Sequence, residues 1–465
     1  MDEFDLIAIG SGGAAREAAT RATTDYGASV AVIERERWGG SCANVACKPT
    51  KQLVAAASLL HDLRAVGADL GIHSAGVEFS LAALKARKDW LIGNQDAWRE
   101  RFDDLFTAID GEASFVDART VRVGERLLTA DRILIATGSR TAIPAITGID
   151  DAPCVDNVGL LDVTELPTSL LVLGGGAVGL EFAQAFARFG SRVTIVEGAP
   201  RIAARSDADA AAELTAALQA EGIEIVTNTF VTGLSRDGDG ATATLAPRDG
   251  SPEHTVRAEL ILIATGRRAN VEQLELARAG VDSTPAGIPV DDRLRTNVEG
   301  IWAAGDVIVG PQFTPVGAEQ AQVAAQDMFG DGARRIDHAI LPTAIFTDPE
   351  LAAVGLTEEE ARVSGFEVEA SSYPADGLLR SYYTLPRDAS PRGLVKLVYE
   401  RDSRRLLGVH ALVKGGAELV QGYALALRLG ATIDDVADGF YAFPTTGEAV
   451  HYAAETALAR ATAAV

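Results

Sequence analysis

Apolar runs that stop abruptly at glycine recur along this chain. The stretch FDLIAIGSGGAAREAATRATTDYGASVAVIERE reads as a buried strand, a glycine turn, a helix and a second strand, SVAVIE, that ends in an acid. The same plan returns in SLLVLGGGAVGLEFAQAFARFGSRVTIVEG. Each stretch is one βαβ unit. Two further segments, RILIATGS (132–139) and LILIATGR (260–267), are near copies of an apolar strand stopping at Ala-Thr-Gly, and they predict that each unit closes with a similar strand. GIWAAGDV (300–307) predicts another strand, followed by a helix from about Val316 to Met328. After Leu341 the pattern changes to alternating strands such as RGLVKLVYE and RLLGVHALV, then to the helices GAELVQGYALALRLG and GEAVHYAAETALARA. This last part has no glycine fingerprint and reads as a separate α+β domain. No low-complexity linker interrupts the pattern, so closely packed domains are expected.

The 465 residues are too many for one ordinary domain and enough for about three. A composition of 47% hydrophobic and 23% charged residues fits a folded globular chain. The formal charge of -23 repels phosphate backbones and anionic lipid, which speaks against nucleic acid and membranes as partners. No apolar run reaches the roughly 18 residues of a spanning helix, and the start MDEFDLIAIG carries acids where a signal peptide carries bases. A cytoplasmic location is therefore expected. In that reducing compartment Cys42, Cys47 and Cys154 are not expected to form a structural framework, and a close pair points to redox chemistry or metal binding.

In the first unit Gly10 makes the tight turn and Gly12 lets a pyrophosphate approach the backbone at the helix N-terminus, while Ala15 takes the helix-packing place usually held by glycine. Glu34, at the end of the second strand, stands where an acid grips a ribose hydroxyl. The second unit repeats the arrangement with Gly174, Gly176, Gly179 and Glu197. One such match is weak, because a glycine turn in any α/β core looks alike. Two copies, each with strand, helix and terminal acid in order, predict two dinucleotide sites.

WGGSCANVACKPTK (38–51) holds two of the three cysteines, five residues apart. On one regular helix such residues are separated by about 7.5 Å of rise and face about 140° apart, whereas a disulfide needs Cα atoms within about 7 Å. Cys42 is therefore expected at or before the first helical turn, where a helix N-terminus favours thiolate, as dithiol exchange requires. A zinc half-site or two buried structural cysteines are the competing readings, and a zinc site lacks obvious further ligands.

GGSCANVACKPTK resembles the redox-disulfide motif of the class I pyridine nucleotide-disulfide oxidoreductases, the family of dihydrolipoamide dehydrogenase, glutathione reductase and mercuric reductase. The likeness extends over both glycine fingerprints, both Ala-Thr-Gly strands, AAGDV and LPTAIFTDPELAAVGLTEEEA. GSGGAA and EFAQAFARFGSRVT look most like mercuric reductase. The resemblance implies two Rossmann-like α/β domains and a C-terminal α+β dimerisation domain: an FAD-binding domain over 1–147 and 271–340, an NAD(P)-binding domain over 148–270 and an interface domain over 341–465. It implies FAD on the first unit, with Gly40, Ser41, Thr137, Gly138 and Asp306 joining Gly10, Gly12, Ala15 and Glu34 around it. A nicotinamide cofactor is implied on the second unit, with Gly266 added to its glycines. Electrons would pass from NAD(P)H through FAD to a Cys42–Cys47 disulfide and on to an acceptor. By the family pattern Cys47 is the flavin-side thiol and Cys42 the interchange thiol, Lys51 lies beside the flavin and Glu181 pairs with it. Glu197 favours a free ribose 2′-hydroxyl and hence NADH, while Arg201 and Arg205 keep NADPH open.

The pattern breaks near the C-terminus. Family disulfide reductases carry a motif close to His-Pro-Thr-x-Ser-Glu, whose histidine is the general base for the interchange thiol; here the stretch is YAFPTTGEAV, with Glu448 present and Phe443 in place of the histidine. Losing a positioned base costs about 10²–10⁴-fold, which speaks against ordinary turnover of lipoamide or glutathione disulfide. Mercuric reductases have a tyrosine there and use a C-terminal cysteine pair; this sequence ends ETALARATAAV without one, and no metal-binding domain precedes the first unit, which speaks against efficient mercuric reduction. The expectation is a homodimeric flavoprotein with an active site shared across the interface, Glu448 coming from the second subunit. Its small-molecule or metal-ion acceptor, such as a metal ion, quinone or unusual disulfide, needs no histidine base. Two rivals stand beside it: a thiol-disulfide enzyme using Tyr441, His451 or water as base, and a non-catalytic FAD-containing redox sensor.

Overall fold

A computed structural model describes residues 2–73 and 76–463, and the chain divides into two compact units, each of several segments. The first comprises Met1–Pro49, Ala86–Ala142 and Gly266–His338; the second comprises Thr50–Lys85, Ile143–Thr265 and Ala339–Val465.

At the centre of the first unit is a five-stranded parallel sheet in the order Ile301–Ala303, Ile133–Ile135, Leu6–Ile9, Val30–Glu34, Thr107–Asp110. Every residue of Leu6–Ile9 and Ile133–Ile135 is buried, as expected for parallel strands covered on both faces. The helix Gly13–Tyr26 follows the first strand and packs on the helix Thr314–Phe329. That second helix, expected over 316–328, starts two residues earlier because Pro315, whose missing N–H costs nothing in a first turn, sits at its beginning.

The second unit repeats the core with Cys154–Val155, Leu260–Ile263, Ser169–Leu173, Arg192–Val196 and Glu224–Val226, again all parallel. In each unit the Ala-Thr-Gly strand lies directly beside the first strand. The unit also contains an antiparallel three-stranded ribbon, Thr229–Asp237, Gly240–Pro247 and His254–Ala258.

A five-stranded antiparallel sheet completes the second unit, in the order Thr343–Ile345, Glu350–Gly355, Leu406–Val413, Leu394–Glu400, Val368–Pro374. The two strands read as alternating do not alternate in exposure: all of Leu406–Val413 is buried. Val395, Leu397, Val409 and Ala411 face a core shared with the helix Glu448–Ala463, while Leu394 and Leu412 join the core around the helix Ala208–Ala220. With cover on both faces, the strands keep Lys396 and His410 inside, at 4% and 1% exposure. Among the described residues no helix is long and apolar enough to cross a membrane.

Candidate functional site

In the first unit the glycine turn is built by close backbone approach. Gly10 has φ +105°, and a Cβ there would stand 2.4 Å from the Ala136 carbonyl oxygen of the Ala-Thr-Gly strand. Gly12 caps the helix Gly13–Tyr26, and Ala15 is fully buried on that helix. Glu34 binds the chain's own turns: one oxygen accepts from Ser11 N (3.1 Å) and Oγ (2.6 Å), the other from the amides of Arg35, Glu36 and Arg37. Gly10, Gly12, Glu34, Gly40, Ser41 and Gly138 line one cavity, which Thr137 also borders. Gly40 has φ +73°, and its missing Cβ would stand 2.5 Å from Gly12 Cα. No side chain fits between these two backbones, which leaves a cradle of amides suited to a pyrophosphate.

The cysteines occupy different helices. Cys42 lies in the short helix Gly40–Asn44, and Cys47 opens the long helix Cys47–Ala65. Asn44 ties the loop between them: its Nδ2 donates to the carbonyls of Trp38 (2.9 Å) and Gly40 (2.8 Å), and its Oδ1 accepts from Gln95 Nε2. Cys47 Sγ lies 3.4 Å from Thr314 Oγ1, at the start of the helix Thr314–Phe329. Asp306 accepts from Ser139 Oγ at 2.9 Å, with Arg267 Nε at 3.6 Å from the same carboxylate oxygen. Thr137 Oγ1 donates to the Asn270 carbonyl, and Gly138 has φ +67°.

The second unit repeats the turn with tighter tolerances. A Cβ on Gly174 would meet the Ala264 carbonyl oxygen at 2.3 Å, and one on Gly179 the Gly174 carbonyl oxygen at 2.0 Å; Gly176 caps the helix Ala177–Phe189. Glu197 accepts from Gly175 N (2.7 Å) and Ala199 N (2.6 Å). Arg201 Nη2 donates to the carbonyls of Ala204 and Ser206, while its Nε is buried without a partner. Gly266 follows the strand Leu260–Ile263 with φ +120°, and its carbonyl accepts from Ala142 N. Beyond it Arg267–Ala269 pairs antiparallel with Ser139–Thr141.

Lys51 and Glu181 meet as expected. Lys51 Nζ lies 2.8 and 2.6 Å from the two carboxylate oxygens of Glu181, which is 4% exposed and also accepts from Phe346 N. The ammonium sits 4.4 Å from the centre of the Phe346 ring. The lysine is thus a point charge held in place by an ion pair and an aromatic face.

At the C-terminal motif Glu448 is buried, accepts from Thr445 N at 2.8 Å and lies 3.3 Å from the Tyr452 hydroxyl. Phe443 is 72% exposed. Tyr441 donates to the Val436 carbonyl and meets Tyr423 at 3.3 Å, while the His451 ring lies against Tyr441 and Tyr452 with its Nδ1 buried and unpartnered. The third cysteine differs from the pair: burial, with the charge of Asp150, pushes the Cys154 thiol up to about 11, so it stays protonated. Among the described residues no group of three or more His, Cys, Asp and Glu side chains is arranged to hold a metal ion. Sequence reasoning missed Asn44, Ser139 and Thr314; Asn44 at least stood between the cysteines as the polar residue able to bond a tight loop.

Comparison with known proteins agrees with this geometry. Residues 4–327 match the model for pyridine nucleotide-disulphide oxidoreductases, and residues 341–454 match that family's dimerisation domain. The chain is 37% identical over 464 residues to a mercuric reductase of Streptomyces lividans, covering 97% of this chain and 96% of that one. It is 32% identical over 462 residues to the mitochondrial dihydrolipoyl dehydrogenase of Pisum sativum, covering 97% and 91%. Among solved structures, the Cu(II) complex of the HOCl-induced flavoprotein disulfide reductase RclA from Escherichia coli superposes with a TM-score of 0.86 at 29% identity, covering 98% of this chain and all of that one. Two glycine-turn nucleotide folds, a two-cysteine loop, a paired lysine and a dimerisation domain accordingly place this chain in the class I pyridine nucleotide-disulfide oxidoreductase family, as a flavoprotein oxidoreductase that works with a pyridine nucleotide.

Proposed function

We propose that this enzyme oxidises NADH and delivers the electrons through Cys42 and Cys47 to a thiophilic metal ion. FAD, when bound, supplies two-electron exchange between a nicotinamide and a dithiol. Gly10, Gly12 and Gly40 would take its pyrophosphate, Glu34 its ribose, and Asp306, oriented by Ser139, its ribityl hydroxyls. Lys51, fixed by Glu181, holds a positive charge where negative charge develops. Closing the dithiol to a disulfide releases two electrons and two protons, enough for two Cu(II)-to-Cu(I) steps.

The observation that carries the reading is Phe443, a phenyl at the motif position where thiol-disulfide exchange needs a base. A disulfide acceptor needs a proton placed on its leaving sulfur. A thiophilic metal takes the thiolate as a ligand and needs none. The likeness to mercuric reductases and to a reductase solved with Cu(II) points the same way. NADH is favoured over NADPH because Glu197 presents a carboxylate where a 2′-phosphate would lie. Glu448 serves the dithiol of a second copy of the chain, and a reducing cytoplasm suits the pair.

Anaerobic titration with NADH tests the reading. A long-wavelength charge-transfer band after two electrons places a thiolate at the flavin, and Cys42→Ser should then lower Cu(II) turnover by at least about 100-fold. Bleaching of the flavin without that band removes the cysteines from the electron path. The rival thiol-disulfide reading takes Tyr441, His451 or water as its base. Negligible lipoamide turnover at every pH eliminates that rival.

A further inference from the structure

We infer that Phe230 is the adenine platform of the second nucleotide turn, a specificity-determining residue for the adenosine half of the coenzyme; the inference rests on the nicotinamide-coenzyme reading above. Glu197, the acid that ends the second fingerprint, is followed by Gly198. A Cβ at 198 would stand 2.4 Å from Cε1 of Phe230 and 3.0 Å from its Cδ1. The ring therefore fills the space that a side chain after the acid would occupy.

Its position is fixed by the backbone. Thr229 N donates to the Glu197 carbonyl (3.1 Å) and Asn228 N to the Ala199 carbonyl (2.9 Å), and Phe230 pairs with Ala246 in the antiparallel ribbon. Arg248 donates from Nη1 to the Gly198 carbonyl at 3.2 Å and holds its guanidinium 5.4 Å from the ring centre. Despite these restraints the ring is 53% exposed. Arg248 lies over one face of the ring, and the exposed remainder offers a base a π-surface to stack on, with the arginine adding a cation–π contribution from the opposite side. The carboxylate of Glu197 marks the ribose, and Phe230 stands against the very next residue, so the base on that ribose is within its reach. Recognition through the face of the ring selects for stacking area and so favours a purine.

The test uses FAD-loaded protein and ADP-ribose, which contains the adenosine and pyrophosphate but no nicotinamide, so that binding is read by calorimetry without turnover. Phe230→Ala and Phe230→Leu should each weaken ADP-ribose by about tenfold or more, and Phe230→Trp should bind within about threefold of the parent. Unchanged affinity in the Ala and Leu variants overturns the platform, as does Leu binding like Phe, since an apolar filler would then suffice. Should the Ala variant fail to fold, the Leu and Trp pair decides. If the parent protein itself does not bind ADP-ribose, the nucleotide reading of this unit fails and the inference falls with it.

Discussion

Gly40 shows how much one missing side chain does at the scale of the residue. Its φ of +73° already disfavours any other residue, and a Cβ would run into the backbone of Gly12. Gly40→Ala should therefore retain FAD about tenfold less well, which the ratio of visible flavin absorption to protein absorption after purification measures. Lys51 is a different case, since its place is set by partners rather than by its own backbone. Replacing it with Met keeps most of the stem and removes the charge. Reduction of the bound flavin by NADH should slow by about 100-fold in stopped flow, with NADH affinity little changed; an unaltered rate would mean that the pair with Glu181 only holds the fold.

Among the elements, the strands Leu394–Glu400 and Leu406–Val413 carry a polar cluster inside the second unit. Lys396 lies opposite His410 in register and is ion-paired with Asp207, Asp209 and Glu358. Burial opposes its charge, yet the three carboxylates together hold its ammonium above the ordinary lysine range. Lys396→Met leaves Asp207, whose side chain is 2% exposed, without its cation. The cost should be about 3–5 kcal/mol, read as a lower unfolding midpoint in urea. Among the described residues His410 bonds no side chain, and its Nε2 lies 2.9 Å from the Leu356 carbonyl. Burial lowers its pKa, with Leu356, Asp207 and Glu360 opposing and Lys396 assisting. The folded histidine is neutral, so the unfolded chain takes up the extra proton first. Stability is then complete above about pH 6.5 and falls as the pH drops toward the lowered folded value. His61, also lowered mainly by burial, adds a slope of the same sign. His410→Gln should therefore flatten part of the loss in urea midpoint between about pH 7.5 and pH 5.5.

For the whole molecule, the C-terminal dimerisation domain leaves Leu425, Leu429, Phe440 and Phe443 exposed by 60, 75, 105 and 72%. Apolar surface of that kind calls for a partner surface. Sedimentation should give twice 48.6 kDa. The double change Leu425→Asp and Leu429→Asp should shift the chain to monomer and abolish acceptor turnover, while NADH still reduces the flavin. A monomer with full turnover would show that Glu448 acts within one chain or not at all.

The sequence by itself determined the two nucleotide folds, because a glycine turn between an apolar strand and a helix is a local pattern with few other solutions. The spacing of the cysteines placed Cys42 at or before the first helical turn; that it sits in a short helix of its own, Gly40–Asn44, was decided by the fold. The Ala-Thr-Gly echo was legible as a repeat, but its cause was not: the alanine carbonyl presses on the first glycine of each turn, which requires contacts between residues 10 and 136, and 174 and 264. Lys51 and Glu181 were matched through family resemblance, not through spacing, because the residues stand 130 apart. Asp306 met Ser139, Thr314 met Cys47 and Phe230 filled the space at Gly198 only once the sheets had formed. The two strands read as alternating turned out buried on both faces, since helices from distant parts of the chain cover them. Local periodicity sets the elements; which side chains converge depends on long-range packing, and that is decided by the tertiary structure.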